Sequence, residues 1–177
     1  MKPFGLRATE SMRIEKGYRD WKADLITEFN PFESALDRFV NLDKDFVGKT
    51  ALMTIVDRGP RRKIVSMEIM SDVAPAHPGD SIVSNGQIVG TITSASWGHR
   101  VGKNLAMGFV NPDCSESGSQ FGVEILGETI PAVVCDACLY DPENDQVRGG
   151  PASSNTKDIR SRPVSDGGKG RYGCSLT

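Results

Sequence analysis

The hydrophobic texture of the chain changes twice along its 177 residues. Over residues 6–14, apolar Leu6, Ala8, Met12 and Ile14 are mixed with Arg7, Glu10 and Arg13, a spacing that predicts a short helix. Gly17 is placed to stop it, since glycine readily takes the left-handed conformation that closes helices. A second helix start is written in Asn30-Pro31-Phe32-Glu33. Asn30 can cap, Pro31 suits the first turn, and Glu33 can reach back as the capping-box acid. Phe32, Leu36 and Phe39 would form the buried face of that helix. A third helix is expected at about 48–57, with Ala51, Leu52, Ile55 and Val56 inward.

After Pro60 the period shortens to two. Residues 63–70 alternate as a half-buried strand does. Residues 80–90 carry a hairpin signal, because Asn85-Gly86 supplies the two positive-φ residues of a type I′ turn. Further short strands are expected at 91–95, 105–110, 122–126 and 129–139. Their Gly, Pro and Asn punctuation suggests a small antiparallel barrel or sandwich. The predicted class is therefore α+β: a helical unit over 1–59, an antiparallel β unit over 60–148, and a tail over 149–177. The tail is rich in Gly, Ser, Pro, Lys and Arg and poor in large apolar residues. It is expected to be disordered, because it cannot bury enough surface to offset its ordering entropy.

Composition excludes more than it assigns. Lys and Arg number 21 against 23 Asp and Glu, a net charge of −2, and no basic stripe stands out. A nucleic-acid partner relying on phosphate neutralisation is not expected. No apolar run approaches the ~20 residues of a membrane span. Met1-Lys-Pro-Phe-Gly5 has no secretory signal pattern. The chain reads as soluble and cytoplasmic (mitochondrial matrix if eukaryotic), without a membrane partner. Cys114, Cys135, Cys138 and Cys174 form no disulfide framework of the small secreted kind. Cys135-Asp-Ala-Cys138 is a lone CxxC in a predicted strand, where residues three apart face opposite sides. With no second CxxC or His pair, no metal site is expected and buried structural thiols are. His77 and His99 fall in predicted loops without partners at useful spacing.

Glu15 is the residue that needs an explanation. A carboxylate near the end of an apolar-periodic segment must find hydrogen-bond donors or a ligand. It is either a surface acid pairing with Arg19 or Lys16 or a partner in a structural network, or a recognition group accepting N–H bonds from a heterocycle. Tyr18 and Trp21 suit either the core or stacking on a planar ligand. Asp43-Lys44-Asp45 reads as a solvated turn in which Lys44 could neutralise an anionic ligand tail.

Five segments occur in one order: Gly5-Leu-Arg-Ala8, Met12-Arg-Ile-Glu-Lys-Gly17, Asn30-Pro-Phe-Glu33, Asp43-Lys-Asp-Phe-Val-Gly-Lys49 and Gly98-His-Arg-Val-Gly-Lys103. Together they resemble the later half of the folate-binding aminomethyltransferase family, the T-protein of the glycine cleavage system and its relatives fused to flavin-dependent dehydrogenases. Glu15-Lys-Gly-Tyr-Arg-Asp-Trp-Lys-Ala-Asp-Leu25 leans towards the fused dimethylglycine and sarcosine dehydrogenases. The resemblance covers about residues 4–147. It implies a partial folate-binding domain followed by a C-terminal β-barrel, with tetrahydrofolate as cofactor and Glu15 as the pterin-recognising carboxylate. It places Ile14 and Lys16 beside the folate pocket, Arg7 where a relative can carry a tyrosine, and Lys44 near a basic position on the folate side. The family's catalytic aspartate lies roughly a hundred residues upstream of that glutamate, whereas fourteen residues precede Glu15 here. No catalytic residue is therefore assigned within the chain. The resemblance implies a truncated portion of an enzyme that oxidises an N-methyl amine, with FAD in a domain upstream, and passes the one-carbon unit to tetrahydrofolate. The alternatives are a fragment of a freestanding aminomethyltransferase, or a non-catalytic remnant that keeps the barrel for packing or docking.

Overall fold

The structure is a computed structural model and describes residues 3–149. Strands β1 (Lys63–Ile69), β2 (Ser81–Ser84), β3 (Gln87–Gly98), β4 (Lys103–Val110), β5 (Gln120–Ile125) and β6 (Glu128–Cys135) follow helices α1 (Leu6–Glu15) and α2 (Lys49–Arg58). The strands close into an antiparallel barrel in the order β1-β4-β3-β2-β5-β6. The α+β class, helices before a small barrel, is thus the observed one. Side-chain alternation sorts each strand into two faces. Val65, Met67 and Ile69 point into the barrel with Ala106, Val110 and Val123. Removing a side chain such as Met67 from water contributes about 1.5–3 kcal/mol. Asn85 and Gly86 take φ of 51° and 74° between β2 and β3, as the hairpin signal requires.

The expected strand at 91–95 is the middle of β3, which runs unbroken from the hairpin because Gly90 lets β4 approach closely. A Cβ there would lie 2.3 Å from the Phe109 carbonyl oxygen. The register slips between Ile92 and Ser94, leaving Thr93 as the extra residue of a bulge.

The outer face of β4 is covered by the N-terminal segment. Ile14 of α1 packs on Leu105 and Met107, and the Phe29 ring stacks on Phe109 at 3.6 Å between centroids. Helix α1 ends as its sequence predicts, with Gly17 at φ 69°.

Three expectations fail around it. The capping box at residue 30 forms, but no α-helix follows. Asn30 Oδ1 accepts the amides of Phe32 and Glu33, and Glu33 Oε2 accepts the amide of Asn30. Glu33 is also bound to the start of the barrel, since Oε1 accepts the Arg61 amide and its carbonyl accepts the Ile64 amide. Ala35 then turns to φ 50°, and only a 3-10 turn, Asp37–Phe39, follows, with Phe39 exposed. Helix α2 forms where expected but has no fully buried residue; Ala51 and Val56 are exposed, Leu52 and Ile55 are half-buried, and Ile55 and Val56 line an open groove of about 340 Å³. Tyr18 and Trp21 are not core residues either; Trp21 is 70% exposed.

The CxxC is also split. Strand β6 ends at Cys135, so Cys138 lies beyond it, and both thiols are half-buried rather than buried. Cys174 and the tail expected to be disordered lie outside the described residues, apart from Gly149 at their edge.

Candidate functional site

The last turn of α1 points three consecutive side chains in three directions. Ile14 goes into the small core with Leu105 and Met107. Lys16 reaches the opposite way, its Nζ donating to the Asp141 carbonyl at 2.5 Å, to Asn144 Oδ1 at 2.8 Å and pairing with Asp141 Oδ2 at 3.2 Å. Glu15 lies between them, 1% exposed. Its Oε1 accepts the backbone amides of Arg100 at 2.6 Å and Val101 at 3.2 Å, in the turn joining β3 to β4. Its backbone carbonyl accepts the amides of Leu139 and Tyr140, both at 3.0 Å. Among the described residues nothing donates to Oε2. Glu15 pairs with neither Arg19 nor Lys16.

The neighbouring turn is locked around this carboxylate. The Arg100 side chain returns over the Tyr140 ring at 4.6 Å and hydrogen-bonds the Tyr140 hydroxyl. Ser11 Oγ donates to the Trp97 carbonyl at 2.6 Å, fixing α1 along β3. Gly17 permits the approach of the segment after β6: a Cβ there would lie 2.1 Å from the Ala137 carbonyl oxygen. Asp141 is the titratable group of this segment whose pKa is displaced. Burial opposes its ionisation, but the Gln146 amide and Lys16 prevail and hold its carboxyl below the usual range.

A second buried carboxylate, Asp24, escaped the sequence reading. It is 0% exposed. Its Oδ2 accepts Arg13 Nη1 and the Asp20 amide, both at 2.8 Å. Its Oδ1 accepts the hydroxyls of Thr93 and of Ser94, the latter at 2.6 Å. In a regular strand those two side chains would face opposite sides, and the bulge in β3 lets both reach one oxygen. Arg13, on the same helix as Glu15, is thereby tied to the barrel. The only local signal was an acid between Ala23 and the apolar pair Leu25-Ile26.

The remaining expected site residues are not gathered here. Arg7 is exposed at the start of α1, and Lys44 is exposed in the turn before α2. Two crevices flank the N-terminal segment, and none of Glu15, Ile14, Lys16, Arg7 and Lys44 lines either. What the geometry shows at Glu15 is a buried carboxylate with one oxygen taken by two backbone amides and the other without a donor among the described residues.

Comparison with known proteins agrees on both parts of the chain. Residues 62–141 match the family model described as the glycine cleavage T-protein C-terminal barrel domain, and residues 1–44 match the GCVT N-terminal domain. The chain is 38% identical over 133 residues to mitochondrial dimethylglycine dehydrogenase of Homo sapiens, covering 74% of this chain and 15% of that protein. It is 32% identical over 142 residues to an aminomethyltransferase of Saccharopolyspora erythraea, covering 79% of this chain and 39% of the relative. A solved glycine cleavage system aminomethyltransferase T from Bartonella henselae superposes with a TM-score of 0.69 at 26% identity, over 73% of this chain and 37% of that one. The chain spans well under half the length of each of these relatives. Two successive domain matches, the sequence relatives and a shared fold lead to one conclusion: the chain belongs to the glycine cleavage T-protein family, whose members here include aminomethyltransferases and dimethylglycine dehydrogenases.

Proposed function

We propose that the chain is the tetrahydrofolate-binding C-terminal portion of an enzyme that demethylates an N-methyl amine of the dimethylglycine or sarcosine type. The higher identity to dimethylglycine dehydrogenase than to the aminomethyltransferase supports this branch over a freestanding T-protein. In this reading residues 1–59 contribute to a folate-binding domain, residues 60–148 form the barrel behind it, and FAD belongs to a part of the parent enzyme outside this chain. A mitochondrial matrix location fits the relatives named as mitochondrial.

The observation that carries the reading is the carboxylate of Glu15. A pterin presents neighbouring N–H donors on one edge, and a buried carboxylate with a free oxygen accepts them with orientation and strength. The bound folate would supply the nitrogen that receives the one-carbon unit. Glu15 fixes the ring against a rigid wall, and Ile14 and Lys16 hold that wall in place from either side. Arg7 and Lys44 would act at the periphery, where their exposed charges can meet the anionic tail of folate.

Glu15→Gln separates recognition from architecture, because the amide oxygen can still accept the Arg100 and Val101 amides while the new NH2 opposes the pterin donors. Calorimetric titration of tetrahydrofolate should show binding at least tenfold weaker for Glu15→Gln, with unchanged thermal stability. Equal affinity for the two proteins would remove the assigned role.

A further inference from the structure

A crevice of about 240 Å³ opens between the N-terminal segment and the barrel wall, its lining part apolar and part polar. Arg19 and Ala35 form one side, Ser66 and Cys135 of the outer barrel face form the floor, and Ser115, Ser117 and Asp136 stand around it. Arg19 is half-buried, and its Nε is enclosed without any hydrogen-bond partner among the described residues. The guanidinium makes no ion pair there either. Asp24 and Asp37 are near enough to be felt electrostatically, while burial and then Arg38 act against the charge and lower the Arg19 pKa from its usual value. A guanidinium in that position is unfavourable until an anion completes it.

We infer that this crevice binds a small carboxylate, held side-on by Arg19 Nε and an adjacent Nη and by the hydroxyl of Ser117, while the Ser115 hydroxyl is held by the Pro112 carbonyl at the rim. The planar guanidinium fork matches a carboxylate edge bidentately. Asp136 at the crevice selects the kind of anion. It repels a multiply charged oxyanion such as phosphate, yet it suits a ligand whose carboxylate is accompanied by an ammonium group. A small amino acid therefore fits better than inorganic phosphate. The site is separate from the folate reading, since Glu15 lines no part of it and neither proposal depends on the other.

The test uses the full chain at constant ionic strength, titrated in parallel with acetate, glycine and phosphate while backbone amide NMR shifts are followed. Acetate and glycine should give saturable shifts centred on Ser115, Ser117 and Asp136, with phosphate at least tenfold weaker. Arg19→Gln should abolish saturation. Arg19→Lys keeps the charge but not the fork, and it should weaken acetate tenfold or more. Shifts that fail to saturate or map elsewhere, phosphate binding as tightly as acetate, or Arg19→Lys behaving as wild type would each overturn the inference. Should Arg19→Gln not fold, the wild-type map and the lysine variant still decide the question.

Discussion

Replacing Gly17 by alanine puts the whole Glu15 region under strain at one atom. The new Cβ would sit 2.1 Å from the Ala137 carbonyl oxygen, against backbone that has no side chain to rotate away. Relief requires the segment after β6 to retreat by about 1 Å, judged against ordinary van der Waals contact. Its amides at Leu139 and Tyr140 lie 3.0 Å from the Glu15 carbonyl and would leave hydrogen-bonding range. Two such bonds contribute roughly 0.5–1.5 kcal/mol each. A Cβ in the left-handed conformation adds roughly 1–2 kcal/mol. The expected loss is therefore about 2–5 kcal/mol. Gly86→Ala supplies the reference, because Gly86 has φ 74° and open space around its Cβ position, so only the conformational term applies. Urea unfolding should shift the Gly17→Ala midpoint by roughly 1.5-fold or more relative to the Gly86→Ala shift, at equal m-values. Hydrogen exchange should speed up at the Leu139 and Tyr140 amides. Equal midpoint shifts in the two variants, with those amides still protected, would refute the reasoning.

Two further outcomes follow from titratable groups. Burial, with help from Glu68, pushes the Cys135 thiol up to about 11, which lowers its thiolate fraction at pH 8 by roughly a hundredfold relative to an unperturbed thiol. Peptide mapping after brief iodoacetamide treatment should show Cys135 labelled far more slowly in folded than in urea-unfolded protein; comparable rates would contradict its protected position. Asp141 is held ionised by the Gln146 amide and Lys16, against burial, so its folded pKa lies below the unfolded one. A depressed carboxyl stabilises the fold above its unfolded pKa, and that stability is lost as pH falls through the folded value. Amides at 139–146 should therefore stay protected at neutral pH and exchange progressively faster below about pH 4, the ordinary carboxylate range. Lys16→Gln should move the onset to higher pH, and an unmoved onset would disconnect Lys16 from the effect.

The parts of this structure that were legible in the sequence are those decided locally. Period-two alternation and Asn85-Gly86 specify strands and a hairpin wherever they occur, and Gly17 ends a helix by its own conformational freedom. The helix expected after Asn30 failed although its local signal was correct, because the other oxygen and the carbonyl of Glu33 are claimed by residues about thirty positions later. The apolar face of α2 was read as buried because its spacing is helical, but spacing cannot say whether a surface exists to receive it. Glu15 could be identified as an awkward carboxylate, yet its donors at Arg100 and Val101 come from a turn 85 and 86 residues away. Asp24 and the vacant bonding positions of Arg19 depend on a strand bulge and on barrel closure, neither of which has a signature near those residues.

Barrel closure also decides how this chain can associate with others. Among the described residues every strand has a neighbour on both sides over at least part of its length, so no strand is left wholly open as an edge to template a strand from another molecule. Contacts that grow at high concentration would instead run through side chains, among them the exposed Trp21, Val47, Met53 and Val56 of the helical portion and Ile88 and Leu126 of the barrel hairpins. Such contacts are reversible and surfactant-sensitive, unlike the cross-β assemblies that open sheet edges nucleate. Association of this protein should accordingly yield to mild detergent or to polar substitutions at these exposed positions, with the closed barrel core left untouched.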